Sequence, residues 1–156
     1  MVSENKLHLD NLIQPIFLIS GNNKREKIKT MEGIERKSID LQIKDIKKMV
    51  SMGIKSIIIF PSIEENKKNK NATEALNPKG LIPKAIKKIK KEFPELVLIT
   101  DIALDPYNSD GHDGIVRNGK ILNDKTVDIL VKQAILHAKS GADFVAPSDM
   151  MDGRIY

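Results

Sequence analysis

Hydrophobic positions along the chain switch repeatedly between two periods. Gln14-Pro15-Ile16-Phe17-Leu18-Ile19 is a nearly continuous apolar run closed by Ser20-Gly21, the pattern of a strand that ends in a turn. The polar stretch 22–30 then reads as loop. Ile39, Ile43, Ile46 and Val50 follow at gaps of three and four, which puts them on one helical face; Ser38 and Asp40 offer caps and Gly53 a stop. Ile54 to Phe60, closed by Pro61, is a second strand. Ile82, Ile86, Ile89 and Phe93 mark a second helix, with Pro83 in its first turn and Lys84, Lys87, Lys88 and Lys91 around the other sides. Leu96-Val97-Leu98-Ile99 is a third strand, of the kind buried on both faces. A third helix is predicted from Val127, Leu130, Val131, Ala134, Ile135 and Ala138, capped by Asn123 or Asp124 and stopped by Gly141. Residues 143–146 form a fourth short strand, followed by Pro147-Ser148-Asp149.

Strand and helix alternate, which argues for an α/β fold with parallel strands and right-handed crossovers. A polar arm over 1–13 and one domain over 14–156, with about four strands and three helices, is the predicted organisation. Such a unit is either an open sheet or half of an eight-stranded barrel. Segment 64–77, rich in Lys and Asn, is long for a plain connector and reads as a binding lid or a disordered tip.

Composition narrows the function classes. At 156 residues, 40% hydrophobic and 30% charged, the chain suits one soluble globular domain. No apolar run is long enough for a bilayer, and the N-terminus lacks the apolar core of a signal peptide, so the expectation is no membrane and a cytoplasmic setting. Cysteine is absent, which removes disulfides and thiolate metal sites. The net charge of +5 does not indicate nucleic acid, because the lysines fall mostly on outward helix faces with little aromatic interleaving.

Candidate chemistry gathers after the third strand. Asp101 ends the apolar run, and Asp105, Asp110, His112 and Asp113 follow, interleaved with Pro106, Gly111 and Gly114. Turn formers at those places make a loop, and the carboxyl ends of parallel strands are where α/β folds place their sites. On residue pattern alone, the preferred reading is that Asp101 caps a loop and Asp149 caps a following helix. His112 reads as a hydrogen-bonding loop residue and His137 as structural.

Five stretches carry a resemblance: GIERKSID, GIKSIIIFP, EALNPKGLIPKAI, FPELVLITDIALDPYNSDGHDG and LNDKTVDILVKQAILHAKSGADFVAPSDMMDGRI. Together they make the chain similar, along essentially its whole length, to the porphobilinogen synthase (delta-aminolevulinic acid dehydratase) family. The resemblance implies a (β/α)₈ TIM barrel with an N-terminal arm, of which this chain is the N-terminal half, since such barrels need about 250 residues. It implies a lyase of heme and tetrapyrrole biosynthesis that condenses two 5-aminolevulinate molecules to porphobilinogen. It also implies a homo-oligomer, octameric in the family. A plastid or another organelle is the implied location if the complete chain has lost a targeting segment. Asp101 matches the family's active-site aspartate, and Ser148 and Asp149 match its Ser-Asp after the fourth strand, near the first-bound substrate. The two Schiff-base lysines lie on later strands and have no counterpart here, which implies a chain inactive on its own.

The three cysteines of zinc-dependent members fall at Ala103, Asp105 and Asp113, so the loop resembles the aspartate-rich branch, magnesium-responsive or metal-independent. Without thiolates a tight zinc site of that kind cannot form; Asp105 and Asp113 are the implied metal candidates, and as hard oxygen donors they suit Mg²⁺. Asp110, Glu32 and Leu76 depart from the family's usual residues. Arg36, in the GIERKSID stretch, either packs the arm and neighbouring subunits or makes an exposed salt bridge. Beside the enzyme reading stand an inactive remnant and an assembly module that docks on full-length subunits through its arm and open sheet edge.

Overall fold

The four long apolar runs lie side by side and all parallel. The structure, a computed structural model, describes residues 4–151. Chain order is β1 (Ile13–Ile19), β2 (Arg25–Lys27), β3 (Glu35–Lys37), α1 (Ile39–Ser51), β4 (Ser56–Ser62), α2 (Leu81–Glu92), β5 (Val97–Ile102), β6 (Val116–Arg117), β7 (Lys120–Ile121), α3 (Asn123–Ser140) and β8 (Phe144–Pro147). The main sheet runs β2-β3-β1-β4-β5-β8, parallel except for the antiparallel β2–β3 pair. β6 and β7 form a separate two-stranded hairpin. Among the described residues, the outer edge of β8 has no neighbouring strand.

The two faces of the sheet differ. Ile16, Leu18, Ile57, Ile59 and Leu98 point to the helices and are buried with Ile46 of α1 and Ile82, Ile86 and Ile89 of α2. This is the stripe that gaps of three and four produce, and the lysines of α2 lie outside it. The opposite face is more open. Val97 and Ile99 are only partly buried, so the run expected to be buried on both faces is buried fully on one. The strand also extends through Asp101 to Ile102, which makes Asp101 a strand residue and not the start of the loop.

Other expectations are corrected. Part of the stretch read as loop, 22–30, is β2, whose partner β3 lies parallel to β1. Segment 64–77 is no disordered tip: it contains two 3-10 turns, and Ala72 and Ala75 are buried in a second core cluster with Leu104, Tyr107 and Ile115. Two backbone bonds at Asn69, its N–H to Tyr107 O and its carbonyl from Ser109 N, each 3.3 Å, fasten it to the acidic loop. Helix α3 is capped by Leu122 and begins at Asn123. Its buried face is Thr126, Ile129, Leu130, Gln133 and His137, while Val131 and Ile135 of the predicted stripe are about half exposed.

Candidate active site

The open face of the sheet carries a row of side chains set by register. Arg36 of β3 pairs with Phe17 of β1, and Phe17 pairs with Phe60 of β4, their rings stacked at 5.6 Å. Ile59 pairs with Thr100, the residue before Asp101, and Asp101 pairs with Ala146 of β8. Partners in a parallel ladder point to the same face. A cavity of about 260 Å³ results, lined by Phe17, Arg36, Phe60, Ser62, Asp101 and Asp105, among others. It lies at the carboxyl ends of the strands.

Asp101 and Ser148 come together there. The Ser148 hydroxyl donates to Asp101 Oδ1 at 2.5 Å, joining the ends of β5 and β8. Burial raises the Asp101 carboxyl above the usual range; the Ser148 bond opposes this, and the nearby Asp113 adds to it. Asp105 sits at the mouth, raised by desolvation and then by Asp113 and Asp101. The three carboxylates thus share one field. Asp149 directly follows Ser148 but does not line the cavity.

The acidic loop is held rather than free. Buried Asn108 donates through Nδ2 to Gly114 O at 3.2 Å and accepts from Asp110 N through Oδ1 at 2.8 Å. His112 Nδ1 accepts the Gly114 N–H at 2.8 Å, the loop role expected of it. Among the described residues, no three His, Asp or Glu side chains are grouped so as to hold a metal ion.

Arg36 belongs to the site in a way its sequence context did not indicate. Its guanidinium donates to Glu26 Oε1 across the β2–β3 pair at 3.0 Å while lining the cavity opposite the aspartates. Phe17, Phe60 and Ser62 likewise line the cavity with no sequence motif to mark them. Their signal was the parity of their strands: they stand on the half-buried face, which alternation alone distinguishes once the helix-facing residues are known.

The delta-aminolevulinic acid dehydratase family profile matches residues 1–156. Delta-aminolevulinic acid dehydratase of Bradyrhizobium diazoefficiens is 48% identical over 155 residues, covering 99% of this chain and 44% of that protein. The chloroplastic enzyme of Selaginella martensii is 48% identical over 147 residues, 93% of this chain and 35% of its own. A crystal structure of delta-aminolevulinic acid dehydratase (porphobilinogen synthase) from Toxoplasma gondii, in complex with the reaction product porphobilinogen, superposes with a TM-score of 0.94 at 45% identity. It covers 98% of this chain and 44% of that one. The chain therefore spans less than half the length of these relatives.

Proposed function

We propose, for a chain that belongs to the delta-aminolevulinic acid dehydratase family, that it supplies one side of an active site condensing two 5-aminolevulinate molecules to porphobilinogen with loss of two waters. The observation that carries this is the Ser148–Asp101 hydrogen bond at the carboxyl ends of two adjacent parallel strands. A carboxyl raised above its usual range is better matched to proton transfer near neutral pH than an ordinary aspartate. Asp101 orients the substrate amine and shares in its proton transfers. Ser148 fixes the carboxylate's direction, and Asp149 contributes to binding from beside it.

Imine formation with the substrate ketones needs a lysine at a strand end, where desolvation lowers the amine pKa. None of the four long parallel strands, β1, β4, β5 and β8, contains a lysine. The amines are assigned to the part of the enzyme that the longer relatives contain and this chain does not span. Asp105 and Asp113, as hard oxygen donors, are the residues that would hold Mg²⁺ in this reading. Homo-oligomeric assembly is part of the proposal, supported by the exposure of Leu7, Leu9 and Phe144. A cytoplasmic or plastid setting goes with it, supported by a chloroplastic relative; no helix among the described residues is long and apolar enough to cross a membrane.

The test is a turnover assay of the purified chain, alone and mixed with a polypeptide carrying the remaining residues of a relative. Porphobilinogen is expected from the mixture only, and not when Asp101→Asn is present. Equal product from the Asp101→Asn mixture would reject the assignment.

A further inference from the structure

Helix α3 buries polar side chains against the sheet although its sequence offers apolar ones. Gln133 and Thr126 are 0% exposed and His137 1%, while Val131 and Ile135 are about half exposed. Leaving a buried polar group unmatched destabilises the fold, so what these groups hold should matter. Gln133 Nε2 donates to the carbonyl of Ala103 at 3.3 Å. Four residues on, and so on the same helical face, His137 Nδ1 lies 3.2 Å from Thr100 Oγ1. Thr100 and Ala103 bracket Asp101 in sequence. Side chains alternate along a strand, so Thr100 faces the helix while the Asp101 carboxylate faces the cavity. Tyr107, also buried, lies against Gln133. Thr126 Oγ1 accepts the Ile115 N–H at 3.0 Å and donates to Leu122 O, which fixes the far end of the acidic loop.

We infer that Gln133 and His137 are positioning residues that hold the end of β5 from behind, so that the Asp101 carboxylate meets the Ser148 hydroxyl. The inference rests on Asp101 being the working carboxylate of the proposed site, but it concerns this chain's own geometry and is tested without substrate. The readout is the ¹³C carboxyl resonance of Asp101 in the full 156-residue chain at one fixed pH. Ser148→Ala is expected to move that resonance in the parent. In a Gln133→Met background, which keeps volume but removes the donor, the same change is expected to move it less than half as far. Thr100→Val, which removes one hydroxyl at nearly constant volume, repeats the test through His137 and serves if Gln133→Met does not fold. A Ser148→Ala shift of full size in the altered background, or no shift in the parent, overturns the inference. Failure of the turnover assay would reject the proposed function and leave these shifts unaffected.

Discussion

Asp143 and Lys90 are 53 residues apart in sequence and closed into an ion pair of 2.9 Å that ties three elements together. Asp143, at the entry to β8, also accepts the Leu98 N–H of β5 at 2.8 Å. Lys90, in the last turn of α2, further donates to Pro94 O and Leu96 O. Asp143→Ala should therefore loosen β8 from β5. A loss on the order of 1 kcal/mol is expected, since the ion pair and the bond to Leu98 N–H are both only partly buried. Burial pushes this carboxyl up, yet the Leu98 N–H and Lys90 outweigh it and hold it below its ordinary 3.8. The contribution is thus complete above that value and lost as pH falls through the lowered one. Urea melts at pH 7 and at pH 3 should show a larger gap between parent and variant at pH 7.

Ser148→Ala should raise the Asp101 pKa, because the hydroxyl stabilises the charged form of a carboxyl that burial already disfavours. A ¹³C titration of the carboxyl measures this directly. A midpoint at or below the parent's would contradict the hydrogen bond's role.

His137 should make the chain acid-sensitive. Burial lowers its pKa from 6.5 to about 4. The unfolded chain therefore binds the proton first, and stability falls as pH drops from about 6.5 to about 4, then levels off for this group. The full effect is about 3 kcal/mol at 1.36 kcal/mol per unit. Asp101 and Asp105 act in the opposite sense, since a raised carboxyl favours the folded state as pH falls. His137→Gln should flatten the decline in stability over that window, read by denaturant midpoints at several pH values.

Gly114→Ala tests the packing beneath the acidic loop. An added Cβ would lie 2.8 Å from Ile121 Cγ2 of β7. Overpacking of this kind costs about 1–3 kcal/mol, so the thermal midpoint should drop by several degrees. Gly111→Ala, with nothing near its Cβ, would carry only the backbone strain of its positive φ of 63°.

The succession of strands and helices was legible because isoleucine and lysine sort cleanly on α2 and because each long strand is a continuous apolar run. The hairpin partners β2 and β3 were not, since Arg25-Glu26-Lys27 and Glu35-Arg36-Lys37 have no hydrophobic period at all. Their pairing is a matter of cross-strand charges such as Arg36–Glu26 and of the turn between them. The α3 stripe differs from its apolar pattern for a related reason: Thr126, Gln133 and His137 bury donors and acceptors against the sheet and the loop, and a hydrophobic period carries no sign of them. Asp101 and Ser148 were legible through sequence similarity, whereas their mutual contact depends on the register of β5 and β8. Arg36 entered the cavity only through a parallel pairing with β1 that its neighbours in sequence do not encode.

The margin of β8, which no strand among the described residues covers and where Phe144 and Val145 are exposed, bears on how the molecule is handled. An unsatisfied ladder of this kind recruits whatever strand comes near, its own copies included. Dilution, and a lysine placed at Val145, should then do more to keep a sample monodisperse than any change near the carboxylates.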